Sequence, residues 1–140
     1  MKNFPKISLA TLTLAAVVSA LPFSASAQMA YPDKCKSDMS SGGDMAMQSH
    51  QMSGMADYQM EAMDGMKAMN MNMMQGMMKK DADVSFVCGM IGHHMGAISM
   101  SEVELKHGDD AEAKEMAQKV IDAQKEEITE MTRWLDKEAK

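Results

Sequence analysis

From Met39 to Asp83 the chain carries fourteen methionines and no Leu, Ile, Val, Phe or Trp. A helix made this way has bulky apolar side chains, but none of the branched or aromatic ones that hold a core in a single packing. Thioether sulfur is also a soft, uncharged ligand suited to Cu(I). The segment is therefore either an adaptable surface or a store of soft metal ligands. The compartment and the histidines bear on the choice.

Residues 1–27 are ordered like a secretory leader. Lys2 and Lys6 precede an apolar run from Ile7 to Leu21, Pro22 breaks it, and Ala25-Ser26-Ala27 offers a cleavage site before Gln28. The run is 15 residues, short of the ~20 that a spanning helix needs. No twin arginine precedes it and no Cys follows closely. The expectation is export as an unfolded chain into the periplasm, no membrane insertion after cleavage, and any metal acquired outside the cytoplasm.

Cleavage would leave 113 residues, enough for one domain. Loss of Lys2 and Lys6 leaves 12 basic against 20 acidic residues and a net charge of −8. That argues against nucleic acid and anionic membrane surfaces as partners. Cys35 and Cys88 would meet an oxidising compartment. One reading is a disulfide tying the N-terminal tail to the helices; the other is a thiolate ligand or redox pair. Without a C-x-x-C spacing the first is favoured.

The chain divides into a flexible Met-containing tail at 28–51, a Met-rich helix at 52–80 and a helical hairpin at 81–140. Met60, Met63, Met66, Met69, Met73 and Met77 follow steps of three and four, a slowly drifting stripe of one helix. Gly54, Gly65 and Gly76 each cost helix stability, so this helix is expected to be the loosest element and to pack its stripe on the hairpin. Asp81 is the expected N-cap of the next helix, which Gly108 ends; Asp109 with Glu112 resembles a capping box for the third. That helix carries Ala117, Ile121, Ile128, Met131, Trp134 and Leu135 on a broad apolar face. No stretch reads as a strand. The expected fold is all-α, an up-down bundle of three long helices with room for a short fourth from the tail.

The second helix holds the chemistry. At 100° per residue, Phe86, Met90, His93, His94, Ala97 and Met100 share an arc of about 120° that should turn inward. Gly89, Gly92 and Gly96 lie beside it and would allow a close helix approach or simply loosen the helix. Imidazole suits copper as well as zinc, and thioether narrows the choice to copper or silver. The competing reading makes His93 and His94 hydrogen-bonded pocket residues, with Gln124 and Glu127 as partners. Core packing competes likewise for the Met stripe. Metal-ligand candidates are Met90, His93, His94, Met100 and Met131, with a secondary set of His50, Met63, Met66, Met69 and Met73. His107, at a helix end, reads as a cap.

Met90, His93-His94, Ala97 and Met100, followed by Gln124, Glu127-Ile128, Met131 and Trp134-Leu135, resemble the bacterial domain-of-unknown-function 305 family. Its pattern is approximately M-x-P-H-H-x-x-A-x-x-M, then Q-x-x-E-I-x-x-M-x-x-W-L. The specific match covers about 81–137, and Gly92 stands where the family usually has proline. The resemblance implies a ferritin-like helical bundle, exported, with some members linked to copper binding and resistance. It also implies Met90, His93, His94 and Met100 as metal-site candidates, with Met131 facing them.

The function these features favour is a periplasmic copper-binding protein. It would sequester or pass on Cu(I), with Ag(I) or Cu(II) as alternatives, in exchange with other copper-handling proteins. The rival is a methionine-rich interaction module with no physiological metal. A ferritin-like di-metal enzyme needs paired E-x-x-H elements on facing helices, and the chain has no such pair. Catalysis is not expected.

Overall fold

The structure, a computed structural model, describes residues 29–37 and 54–139. The expected leader, His50, Met45, Met47 and Met52 lie outside the described residues. Three long helices follow in order: α1 at Asp57–Met77, α2 at Ala82–His107 and α3 at Ala111–Glu138. A 3-10 turn at Asp33–Cys35 precedes them. Among the described residues there is no strand, and no helix is long and apolar enough to cross a membrane.

Local chemistry sets the helix ends. The Asp81 carboxylate accepts from the Asp83 and Val84 amides and starts α2. The third helix starts one residue later than expected: Asp110, not Asp109, accepts from the Ala113 amide. Asp57 follows Ala56, whose amide is satisfied by the Gln59 side chain at 2.9 Å.

The second helix is central, antiparallel to α1 on one flank and to α3 on the other. Its α1 flank is made of small residues. A Cβ on Gly76 would lie 2.6 Å from the Cys88 carbonyl carbon and the Gly89 nitrogen, and one on Gly92 would lie 2.8 Å from the Met73 nitrogen. A Cβ on Gly65 would overlap the Ser99 hydroxyl. The glycines thus trade helix propensity for backbone-to-backbone approach.

This corrects the expected facing. The α1 stripe drifts off the interface, leaving Met66, Met71, Met74, Met77 and Met78 exposed. On α2, Cys88, Ile91, His94, Ile98 and Ser101 are buried, while Phe86 is 66% and Met100 55% exposed and His93 faces solvent. With glycines committed to α1 and the aliphatic residues to α3, the arc between them is left outside. The apolar face of α3 is likewise narrower than expected: Ala117, Ile121, Ile128 and Leu135 are buried, Met116 and Val120 are not.

The glycines predict opposite signs for one substitution. Gly89→Ala would place its Cβ 3.9 Å from Met77 Cγ, an ordinary contact, so the helix gains about 1 kcal/mol of propensity. Gly76→Ala and Gly92→Ala strike backbone that cannot swing away and should lose about 1–3 kcal/mol. Urea midpoints of the three variants check this. Gains at all three would mean that α1 and α2 are not held at this separation.

Residues 29–37, expected within a mobile tail, are instead laced to all three helices. Cys35 forms a disulfide with Cys88 of α2 across a sequence separation of 53. The Tyr31 hydroxyl donates toward the carbonyls of Asn72 (2.7 Å) and Cys88 (3.1 Å), and burial pushes its pKa up to about 12. The Lys34 ammonium donates to the carbonyls of Leu135 and Ala139, both at 3.1 Å, neutralising the C-terminus of α3.

Candidate metal centre

The antiparallel pairing of α2 and α3 brings His94 against Glu127. His94 Nε2 lies 2.5 Å from Glu127 Oε2, and Gln124 Nε2 donates to the same oxygen at 3.5 Å. Glu127 is thus a histidine partner, as the reading of His94 as a hydrogen-bonded pocket residue expects, while Gln124 reaches the histidine only through that carboxylate. The imidazole is 7% exposed. Its other nitrogen, Nδ1, is buried with no hydrogen-bond partner.

A carboxylate only accepts, so Nε2 carries the proton and donates it; in the neutral ring the lone pair is then on Nδ1. This is the arrangement in which a carboxylate orients a metal-binding imidazole. A buried acceptor without a donor costs free energy in a finished core. A soft cation at Nδ1 would relieve it, so this half of the site fits a metal.

The same register places further donors nearby. With His94 level with Glu127, Met90 and Met131 stand level with each other one turn, about 6 Å, along the two helices. Both are half-buried. His93 is the ring neighbour of His94, with centroids 5.8 Å apart, but lies on the exposed side. Met100 lies out on the same solvent-facing arc. The structure therefore separates the expected set: Met90, His94 and Met131 border the α2–α3 seam with Glu127, while His93 and Met100 do not line it.

The belt of chain that carries the pair belongs to a recognised domain. The family profile described as "Domain of unknown function (DUF305)" matches residues 23–135. The chain belongs to this family. No curated protein matches it. The DUF305 match extends well beyond the His-His motif and its downstream half, and includes the methionine-rich helix α1.

Other expected residues are dispersed. Met63 and Met73 are half-buried on α1, and Met66 is 45% exposed. Met69 is drawn into the α1–α2 groove. His107 lies in the last turn of α2, as expected; its Nε2 also sits 3.1 Å from Glu61 Oε2 of α1, and Lys106 bonds the other oxygen of that carboxylate. Glu104 and His107 form an E-x-x-H spacing, but the histidine is occupied by α1 and no second such element faces it. Among the described residues no three His, Cys, Asp or Glu side chains converge as a metal site.

Two groove-lining residues escaped the sequence reading. Met95 sits on the opposite side of α2 from the His-Met arc, and Met29 precedes any periodic segment. A signal did exist for Met95: its position on the glycine flank. That flank had been given no ligand role.

Proposed function

We propose that this protein binds soft metal ions, Cu(I) foremost and Ag(I) by the same chemistry, in the periplasm, and that it sequesters or passes them on without turnover. The observation that carries the reading is the His94 nitrogen, Nδ1, buried and unpartnered while a carboxylate holds Nε2, at the level of a Met90–Met131 pair. Copper tolerance would follow from holding Cu(I) outside the cytoplasm, in exchange with other copper-handling proteins.

The use of methionine supports this. Of the ten large apolar side chains left exposed among the described residues, seven are methionines. Burial therefore does not account for them, and an exposed thioether remains available to a metal. That exposure also favours the second reading, an adaptable interaction surface, because Met74, Met77, Met78 and Phe86 stand out together at the α1–α2 turn.

Metal preference separates the two. The chain should take up Cu(I) under reducing conditions, and Ag(I), at least about a hundredfold more tightly than Zn(II), since only soft ions reward thioether sulfur. Competition titration against a chromogenic chelator measures the ratio. Capture of unfolded polypeptides with no soft-ion uptake would overturn the metal reading and leave the interaction module.

A further inference from the structure

A cavity of about 350 Å³ opens between α1 and α2, and three methionines from three separate parts of the chain line it: Met29, Met69 and Met95. We propose that these three thioethers form a second soft-metal site, distinct from the His94 seam, that takes one Cu(I) or Ag(I) ion. This rests on the reading that thioether sulfur in this protein serves soft metals. It assigns a particular ligand set to that reading.

Three observations carry it. First, two of the sulfurs have defined positions at the groove. Met69 lies across the bare backbone of Gly96, where any Cβ would overlap its Sδ, and Met95 Sδ accepts from Asn72 Nδ2 at 3.9 Å. Met29 and Met95 also pack against the core, which holds their side chains at the groove.

Second, the groove is open to solvent and gives the thioethers room to converge: about 350 Å³ lies between them, and each Met has three rotatable bonds by which its sulfur can swing onto an ion. Three thioethers give a neutral, soft donor set. Such a set holds Cu(I) and Ag(I) and offers hard cations little.

Third, the rim favours cations. Glu61, Asp64 and Glu102 stand against Lys125 in the lining and Lys106 beside Glu61, which leaves the carboxylates in excess. Hydrogen bonds from Lys106 and then His107 hold the Glu61 carboxyl below its ordinary range, so it is ionised at neutral pH. An ion entering past these carboxylates meets favourable charge before it meets sulfur.

Met29 is the ligand with no helix to hold it. The Tyr31 hydroxyl and the Cys35–Cys88 disulfide anchor its segment to α2, so the third sulfur is presented only when that segment is docked. The site is therefore completed by the disulfide without using its sulfurs.

Silver titration of the full chain in chloride-free buffer, followed by native mass spectrometry and by the methyl signals of isotope-labelled methionine, tests this. The Met29, Met69 and Met95 methyls should shift together on binding one ion. The double variant Met69→Leu, Met95→Leu keeps volume and should bind one Ag(I) fewer at saturation, with unchanged helix content. Met29→Leu should weaken that same ion by tenfold or more. Should the double variant misfold, the joint methyl shift in the unaltered chain decides the matter alone. Full stoichiometry in the folded double variant, or independent methyl shifts, overturns this site while leaving soft-metal binding intact. No silver uptake by the unaltered chain overturns the function itself.

Discussion

Replacing Cys35 and Cys88 by serine should cost the fold about 4 kcal/mol. The disulfide closes a loop with a sequence separation of 53, and cross-linking that length removes roughly this much conformational freedom from the unfolded chain. In a domain of this size the loss should lower the melting temperature by on the order of 20 °C. The effect should also have a local signature. Both sulfurs are fully buried, and the same segment carries Tyr31, whose burial raises its pKa to about 12. A raised tyrosine pKa means folding favours the neutral phenol. Its contribution is full below the ordinary ~10 and is lost as pH rises toward 12. Alkali should therefore loosen the segment over that window in the native protein. In the serine variant Tyr31 should ionise nearer the ordinary value. A melting point within a few degrees of the native protein, with Tyr31 still titrating late, would show that the 29–37 segment docks without its disulfide.

The length and number of the helices were legible because the cues are local. Asp81 as a cap, the glycine after His107 and the aliphatic spacing of α3 act within one turn. Which side of α2 faces inward was not. A periodicity argument ranks side chains by size and polarity, so it favoured Phe86, Met90 and Met100 over glycine. At Gly76 and Gly92 the helices touch through backbone, and a residue with no side chain leaves no mark on a hydrophobic arc. The docking of 29–37 was hidden for a related reason. Tyr31 bonds α1 and α2, Lys34 bonds α3 and Cys35 bonds α2, and such scattered attachments within nine residues have no period to detect. The candidate site divides along the same line. Glu127 was readable as a partner for the histidine pair, but only the α2–α3 register tells His94 from His93 and turns Gln124 onto Glu127 instead of a ring. Met95 left one mark in the sequence, its place on the glycine flank, but its partner, Asn72, lies on another helix.

That difference between adjacent histidines gives the other large effect. His94→Ala should abolish the seam's metal binding, because it removes the buried Nδ1 lone pair. His93→Ala should change affinity less than about threefold, since its ring lies on the exposed side of the helix and a surface imidazole contributes little to a site it does not line. Glu127→Gln is the sharper test. Glutamine can present its amide NH₂ to His94 Nε2, which favours the tautomer with the lone pair on Nε2 and the proton on Nδ1. Loss of an orienting carboxylate typically weakens a metal by about tenfold to a hundredfold. Glu127 is 53% exposed, so the substitution should leave stability nearly unchanged and the loss would be one of ligation. Chelator competition with Cu(I) on the three variants supplies the comparison, with the Met69→Leu, Met95→Leu protein as a control that keeps the seam. Equal losses for His93→Ala and His94→Ala would mean the two rings bind as an exposed pair. An unaffected Glu127→Gln would make the His94–Glu127 contact a structural bond and nothing more.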